Sequence, residues 1–224
     1  MVAGASRGGD TLGSMPFPDE AVLAKVDVQH YQPRWAVEAA DLASRLQALV
    51  PDAMAVEHIG STSIPGMSAK DCLDMMILVK DLVATDAGKR LTGAGYRQRP
   101  EPWNTDEPAD GRSWPKMVFA PPVGGRSVNI HVRVAGSPTA RLALLFREFL
   151  RSSPDHTATW SSFKIAAADA SSGLFVYGGL KTPAWSLLME LAEQWAARTG
   201  WQPPLPGSVK PSTGSAGQSR HDLQ

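Results

Sequence analysis

Residues 56–79 read VEHIGSTSIPGMSAKDCLDMMILV, and this stretch decides the fold. A β-branched run ends at His58-Ile59. A Gly60-Ser61-Thr62-Ser63 turn follows, and a second apolar run then carries one carboxylate, Asp74. Gly60 lets backbone N–H groups come close to a bound group, and Ser61, Thr62 and Ser63 add hydroxyl donors. Asp74 is placed to hold a cation opposite them. That combination is how a phosphate or nucleotide site is commonly built. A Gly-Ser pair is also ordinary turn chemistry. The residues by themselves leave both readings open.

Outside this stretch the pattern alternates. Ala39, Leu42, Ala43, Leu46 and Leu49 recur at helical spacing, which predicts an amphipathic helix over 34–50 with Pro33 at its start. Residues 53–59 and 72–79 read as strands, the second apolar enough to lie centrally in a sheet. A helix over 81–94 ending at Gly95 comes next, then short strands over 96–99 and 117–119. In 127–134, Val128, Ile130, Val132 and Val134 take one face, leaving Asn129, His131 and Arg133 on the other. Three helices follow, over 139–151, 155–170 and 182–198. Strands first and helices last make an α/β or α+β layer protein, with a mixed sheet flanked by helices. Residues 99–125, rich in Pro, Gly and Asp, read as a long loop that could carry specificity. Gly-, Ser- and Pro-rich compositions predict disordered tails over 1–20 and 200–224, bounding one domain over 21–199.

Composition narrows the function classes. A chain of 224 residues with 43% hydrophobic content can bury one substantial core. The 22 basic and 22 acidic residues balance, which argues against nucleic acid as the main partner. Cys72 is the one cysteine, so no disulfide forms within the chain. It reads as a buried small hydrophobe, since no activating base lies near it in sequence. No apolar stretch approaches the roughly 20 residues a membrane span needs, and the N-terminus lacks a secretory h-region. The expected location is cytoplasmic.

The run from Glu57 to Asp74, with Lys70 four residues before Asp74, resembles the signature of the GrpB family. Further matches lie at Tyr31-Gln32-Pro33-Arg34-Trp35, Asn129-Ile130-His131-Val132 and Phe146 to Arg151. Two Tyr-x-x-x-Lys spacings are matched by Trp160 to Lys164 and by Tyr177 to Lys181, so the likeness covers about residues 26–198. GrpB proteins resemble the nucleotidyltransferase superfamily. The resemblance therefore implies a nucleotidyltransferase-like fold, in which two carboxylates one residue apart hold Mg²⁺ ions that bridge nucleotide phosphates.

On that pattern Asp74 is the first acid, but the second position is Met76, whose thioether cannot bind a hard cation. A later strand offers Asn129 and His131 where a third acid is expected. At most a single, weakly held Mg²⁺ at Asp74 is therefore expected. The resemblance points to Asp74, His131 and Lys70 as candidate catalytic groups. Gly60, Ser61, Thr62, Arg147, Lys164, Tyr177 and Lys181 are candidates for binding an anionic small molecule such as a nucleotide. Lys70, Lys164 and Lys181 should then converge within salt-bridge reach of Asp74 or the turn hydroxyls. Arg147 and Arg151, at i and i+4, share a helical face. Each cation has a plainer reading as solvated surface, and His131 as a hydrogen-bonded structural histidine. Two functions stay open: group transfer or ligation, and a non-catalytic accessory role like that of the GrpB domain fused to dephospho-coenzyme A kinase. This chain has no kinase P-loop, G-x-x-x-x-G-K-S/T.

Overall fold

The apolar run that carries Asp74 becomes β2 (Leu73–Val79), and β7 (Val128–Val134) runs parallel to it at the centre of a five-stranded sheet. The sheet order is β1-β2-β7-β6-β3, with β1 (Ala55–Ile59), β3 (Arg97–Gln98) and β6 (Met117–Ala120) added antiparallel. These elements come from a computed structural model that describes Phe17 and residues 25–204. Except for Phe17 and residues 200–204, the two expected tails lie outside the described residues. The mixed α/β architecture read from the sequence is the one observed.

Register fixes what each face carries. Ile59, Asp74 and Asn129 stand side by side across β1, β2 and β7, and Glu57, Met76 and His131 form the next row. Alternation sends Leu73, Met75, Ile77 and Val79 to the opposite face with Val128, Ile130 and Val132. There α1 (Arg34–Leu49) packs Trp35, Leu42 and Leu46 onto them, and α2 (Ala87–Gly93) adds Leu91. The Asp74 face is covered by α4 (Pro138–Arg151), with α5 (Pro154–Asp169) and α6 (Leu174–Thr199) stacked beyond it. Ile64 and Met67 are completely buried among Leu145, Phe149, Trp160 and Met189, so the loop after Ser63 is wedged into the helical layer.

The sequence reading needs three corrections. The helix expected over 81–94 is confined to Ala87–Gly93. Asp81 Oδ1 accepts from the Val83 N–H at 2.7 Å and Thr85 Oγ1 accepts from the Ala87 N–H at 3.1 Å, side-chain turns that compete with helix. Residues 99–125 are not one loop. They hold α3 (Pro102–Thr105), a hairpin of β4 (Asp106–Ala109) and β5 (Arg112–Pro115), and β6. The hairpin turns at Asp110-Gly111, both at positive φ (50° and 70°), which is the sequence signature of a tight two-residue turn. Finally, the helix expected from 182 begins at Leu174 and runs straight through Pro183. Tyr177 and Lys181 therefore lie one turn apart on α6, as Trp160 and Lys164 do on α5.

Candidate functional site

Gly60 is where the chain leaves β1, and its backbone (φ 69°, ψ −169°) is one that side-chain-bearing residues avoid. A Cβ there would collide with Asp74 Oδ2 and lie 3.0 Å from Asp74 Cβ. The glycine thus lets the turn lie directly on the carboxylate. The turn itself, Ser61–Ser63, is a single 3₁₀ turn. His58 Nε2 meets Thr62 Oγ1 at 2.9 Å, and Ser63 Oγ donates to the Gly60 carbonyl at 2.6 Å. Burial, against Asp74 and with Arg151 and Arg147, pushes the His58 imidazole down to about 4. It is therefore a neutral partner that orients Thr62.

The same loop is braced from the helical layer. Arg151 donates twice to the Ser63 carbonyl, at 2.7 and 3.1 Å. The Ser68 N–H donates to Ser161 Oγ at 3.0 Å, and the Lys164 amine donates to the Ser68 carbonyl. Arg147 bonds Glu57 Oε2 and the His58 carbonyl, each at 2.8 Å, and Glu148 Oε1 at 2.7 Å. Its side chain is 7% exposed. Arg147, expected from the sequence as a ligand-binding cation, is not among the groups brought to the cavity. A guanidinium spent on two carboxylates and a carbonyl holds β1 to α4 and does not line the cavity beside Asp74.

That cavity has a volume of about 230 Å³ and gathers Ser61, Thr62, Lys70, Cys72, Asp74, Asn129, Lys164, Tyr177 and Lys181. It lies at the amino-terminal end of the parallel β2–β7 pair. Burial alone would push the Asp74 carboxyl up, but His131, Asn129 and Lys70 outweigh it and hold it below its usual range. Asn129 Nδ2 donates to Asp74 Oδ1 at 3.1 Å. His131 Nε2 lies 3.8 Å from the same oxygen, an ion pair only if the ring is charged. Burial, with Arg133 nearby, pushes that ring's pKa down, and Nδ1 is buried without a hydrogen-bond partner among the described residues. We therefore read His131 as neutral, standing behind Asp74 rather than in the cavity.

The three lysines reach one cavity, but none forms an ion pair with Asp74 among the described residues. Lys181 lies over the Tyr177 ring, 4.9 Å from its centroid, and Lys164 is tied to Ser68. Burial and Lys181 push the Lys164 amine down to about 7, and burial with Lys70 lowers Lys181 as well. Burial raises the Tyr177 phenol to about 12. Burial and Asp74 raise Cys72 to about 11, so it stays a thiol; it is half-buried and lines the cavity, where the sequence predicts a buried small hydrophobe. A second cleft of about 740 Å³ shares Lys70, Cys72 and Asn129 with the cavity and extends past Lys25 and Val128.

The second-acid position is closed to metal. Met76 is fully buried, and Arg133 Nη1 lies 3.5 Å from its sulfur. Arg133 also makes a two-pronged pair with Glu107 of the hairpin, at 2.8 and 2.9 Å, and Lys116 adds a third contact at 3.0 Å. Among the described residues no cluster of three His, Cys, Asp or Glu side chains could hold a metal ion. The donors fit one ion on Asp74, completed by water and ligand oxygens, and do not fit a carboxylate-bridged pair. The sequence reading took Asn129 only as standing where an acid is expected, and it gave Arg133 no role. Both lie on the polar face of β7 that it had identified.

The GrpB protein family model matches residues 25–189. The chain belongs to the GrpB family. The crystal structure of the conserved protein GrpB from Enterococcus faecalis is similar over 79% of this chain and all of that one, with a TM-score of 0.61 and 23% identity. UPF0157 protein SCO7215 of Streptomyces coelicolor is 32% identical over 143 residues, covering 63% of this chain and 70% of that protein. The dephospho-CoA kinase of Mycolicibacterium paratuberculosis is 33% identical over 190 residues, 76% of this GrpB chain and 47% of the kinase. This chain thus spans about half the length of that relative. Among the described residues no helix is long and apolar enough to cross a membrane.

Proposed function

We propose that the cavity beside the Gly60 turn binds the phosphate, or another anionic group, of a small molecule such as a nucleotide. The charge arrangement carries this reading. Three lysines and the Ser61 and Thr62 hydroxyls face a chamber whose only carboxylate among the described residues, Asp74, is already engaged by Asn129. At about 230 Å³ the chamber falls below the roughly 300–1,000 Å³ of pockets that enclose whole drug-sized ligands. It suits a phosphate group, and the adjoining 740 Å³ cleft has room for the rest of the molecule. Asp74 would hold at most one weakly bound Mg²⁺, whose chemistry would be to neutralise phosphate charge. The reaction class that fits is group transfer or ligation, with Lys70, Lys164 and Lys181 stabilising negative charge.

Met76 under Arg133 favours a second reading, a ligand-binding accessory protein. With a buried thioether at that position and Arg133 committed to Glu107 beside it, the site supplies one carboxylate to a metal, which suits holding an anion better than driving two-metal transfer. Similarity to half of dephospho-CoA kinase is consistent with such a role. Thermal-shift screening of nucleoside triphosphates, coenzyme A precursors and amino acids, with and without Mg²⁺, tests the common core of both readings. Phosphorylated ligands should raise the melting temperature and amino acids should not. If no anion raises it, the proposal fails.

A further inference from the structure

Lys164 is the most unusual ionisable group in the chain. It is 2% exposed and among the largest fully buried side chains, yet no carboxylate lies within ion-pair reach of its amine among the described residues. The amine has one described protein partner, the Ser68 carbonyl. Bracing one carbonyl does not require a charge, and burying an unpaired ammonium is costly. Nearby Ser161, a neutral hydroxyl, already anchors the same residue through its N–H at 3.0 Å. The amine nonetheless lines the cavity, facing Lys181 and Tyr177 from α6, Asp74 from β2 and Lys70 from the loop.

We propose that Lys164 is a nucleophilic amine that condenses with the carbonyl carbon of an anionic aldehyde or ketone held in this cavity, forming an imine. The proposal rests on the anion-binding reading above and adds a covalent step to it. Its geometry is that of an activated lysine, desolvated and set beside a second cation. The Ser68 carbonyl fixes one N–H, which leaves the nitrogen lone pair of the neutral amine free to point into the cavity. Burial and Lys181, which bring the amine to about 7, keep a large fraction of it neutral at physiological pH. The nitrogen attacks the carbonyl carbon to give a carbinolamine. The hydroxyl then leaves as water with a proton from the Lys181 ammonium, and the proton released by the nitrogen restores Lys181. The phosphate or carboxylate of the same molecule is held by Lys70 and the Ser61-Thr62 hydroxyls.

Pyridoxal 5′-phosphate, an aldehyde carrying a phosphate, is a direct probe. The full chain is incubated with it in the presence of a chelator, reduced with borohydride, digested and mapped by mass spectrometry. A lysine of ordinary pKa near 10.4 is almost wholly protonated at pH 7, so Lys164, with about a thousandfold more of its amine neutral, should be trapped far faster than surface lysines. Inorganic phosphate should block it, and Lys164→Arg should abolish it. Label spread over surface lysines, or carried by Lys70 or Lys181, overturns the proposal in the wild-type chain alone. Calorimetry with pyridoxine 5′-phosphate, which lacks the aldehyde, separates the two claims. Saturable binding without trapping at Lys164 sinks the imine and leaves the anion site standing. Absence of both sinks the imine and the anion reading together.

Discussion

Replacing Gly60 by alanine should be among the most damaging single-methyl changes in the protein. The backbone at φ 69°, ψ −169° belongs to a region essentially restricted to glycine, and holding alanine there costs about 1–3 kcal/mol. The added methyl also strikes the Asp74 carboxylate, which must move off its bond to Asn129. A hydrogen bond to a charged group is worth about 1.5–3 kcal/mol. Together these give a loss of about 2.5–6 kcal/mol in urea unfolding at neutral pH. A double-mutant cycle with Asp74→Ala separates the contributions. Without the carboxylate the collision with Oδ2 is relieved and only the 3.0 Å contact with Cβ remains, so Gly60→Ala should then cost the backbone part and that residual contact, leaving a coupling of about 1.5–3 kcal/mol. A coupling below about 0.5 kcal/mol, within the usual error of additivity, would refute the claim that the turn is moulded onto Asp74.

Other perturbations separate braces from ligand groups. Arg147→Met leaves Glu57 buried without its partner and should cost about 3–5 kcal/mol in chemical denaturation, with affinity for phosphorylated ligands unchanged. A loss of affinity at unchanged stability would restore Arg147 to the binding site. Burial works against ionisation of Glu107, but Arg133 and Lys116 prevail and hold it at about 2, below its ordinary 4.5. Its contribution is therefore fully present above pH 4.5 and lost as pH falls toward 2. Burial lowers the Lys116 amine despite this pair. Glu107→Gln should flatten the acid limb of stability by up to about 3 kcal/mol in urea titrations between pH 2 and 7. Identical limbs would contradict the triad. Met76→Asp should pair with Arg133, so calorimetry should find no tight second divalent site. Two tight sites would show that the metal geometry survives.

The parts of the fold legible in the sequence were those set by short-range periodicity. Alternation in 127–134 separated Val128, Ile130 and Val132 from Asn129, His131 and Arg133, and the structure places them on opposite faces. The Gly60 turn between two apolar runs could be read because glycine and hydroxyl residues announce tight backbone chemistry. The β4–β5 hairpin was missed although Asp110-Gly111 signalled it, because Pro and Gly nearby raised the expectation of a loop. Pro183 and Gly178-Gly179 hid the first turns of α6, where Tyr177 is buried against Val26 and Ala168 and packing overrides local propensity. At the site, charge could be read but partnership could not. Arg147 and Lys164 are both helical cations at matched positions, yet one is tied to Glu57 and the other lines the cavity. Only the fold, bringing residues some ninety positions apart together, tells them apart. Asn129 read as the loss of an acid, whereas its amide positions the acid that remains.

The central claim is that the Gly60 cavity is an anion site made by lysines that fold without needing one another. The most direct test is calorimetry of the full chain with a nucleoside triphosphate, comparing the wild type with Lys181→Met. The account predicts saturable binding at one site and at least about a tenfold loss in the variant, since one charge-assisted contact is worth about 1.5–3 kcal/mol. The variant's melting temperature should be equal or higher, because a half-buried cation that repels Lys70 and Lys164 has been removed. Unchanged affinity with a lowered melting temperature would contradict the account and make these lysines braces of the fold.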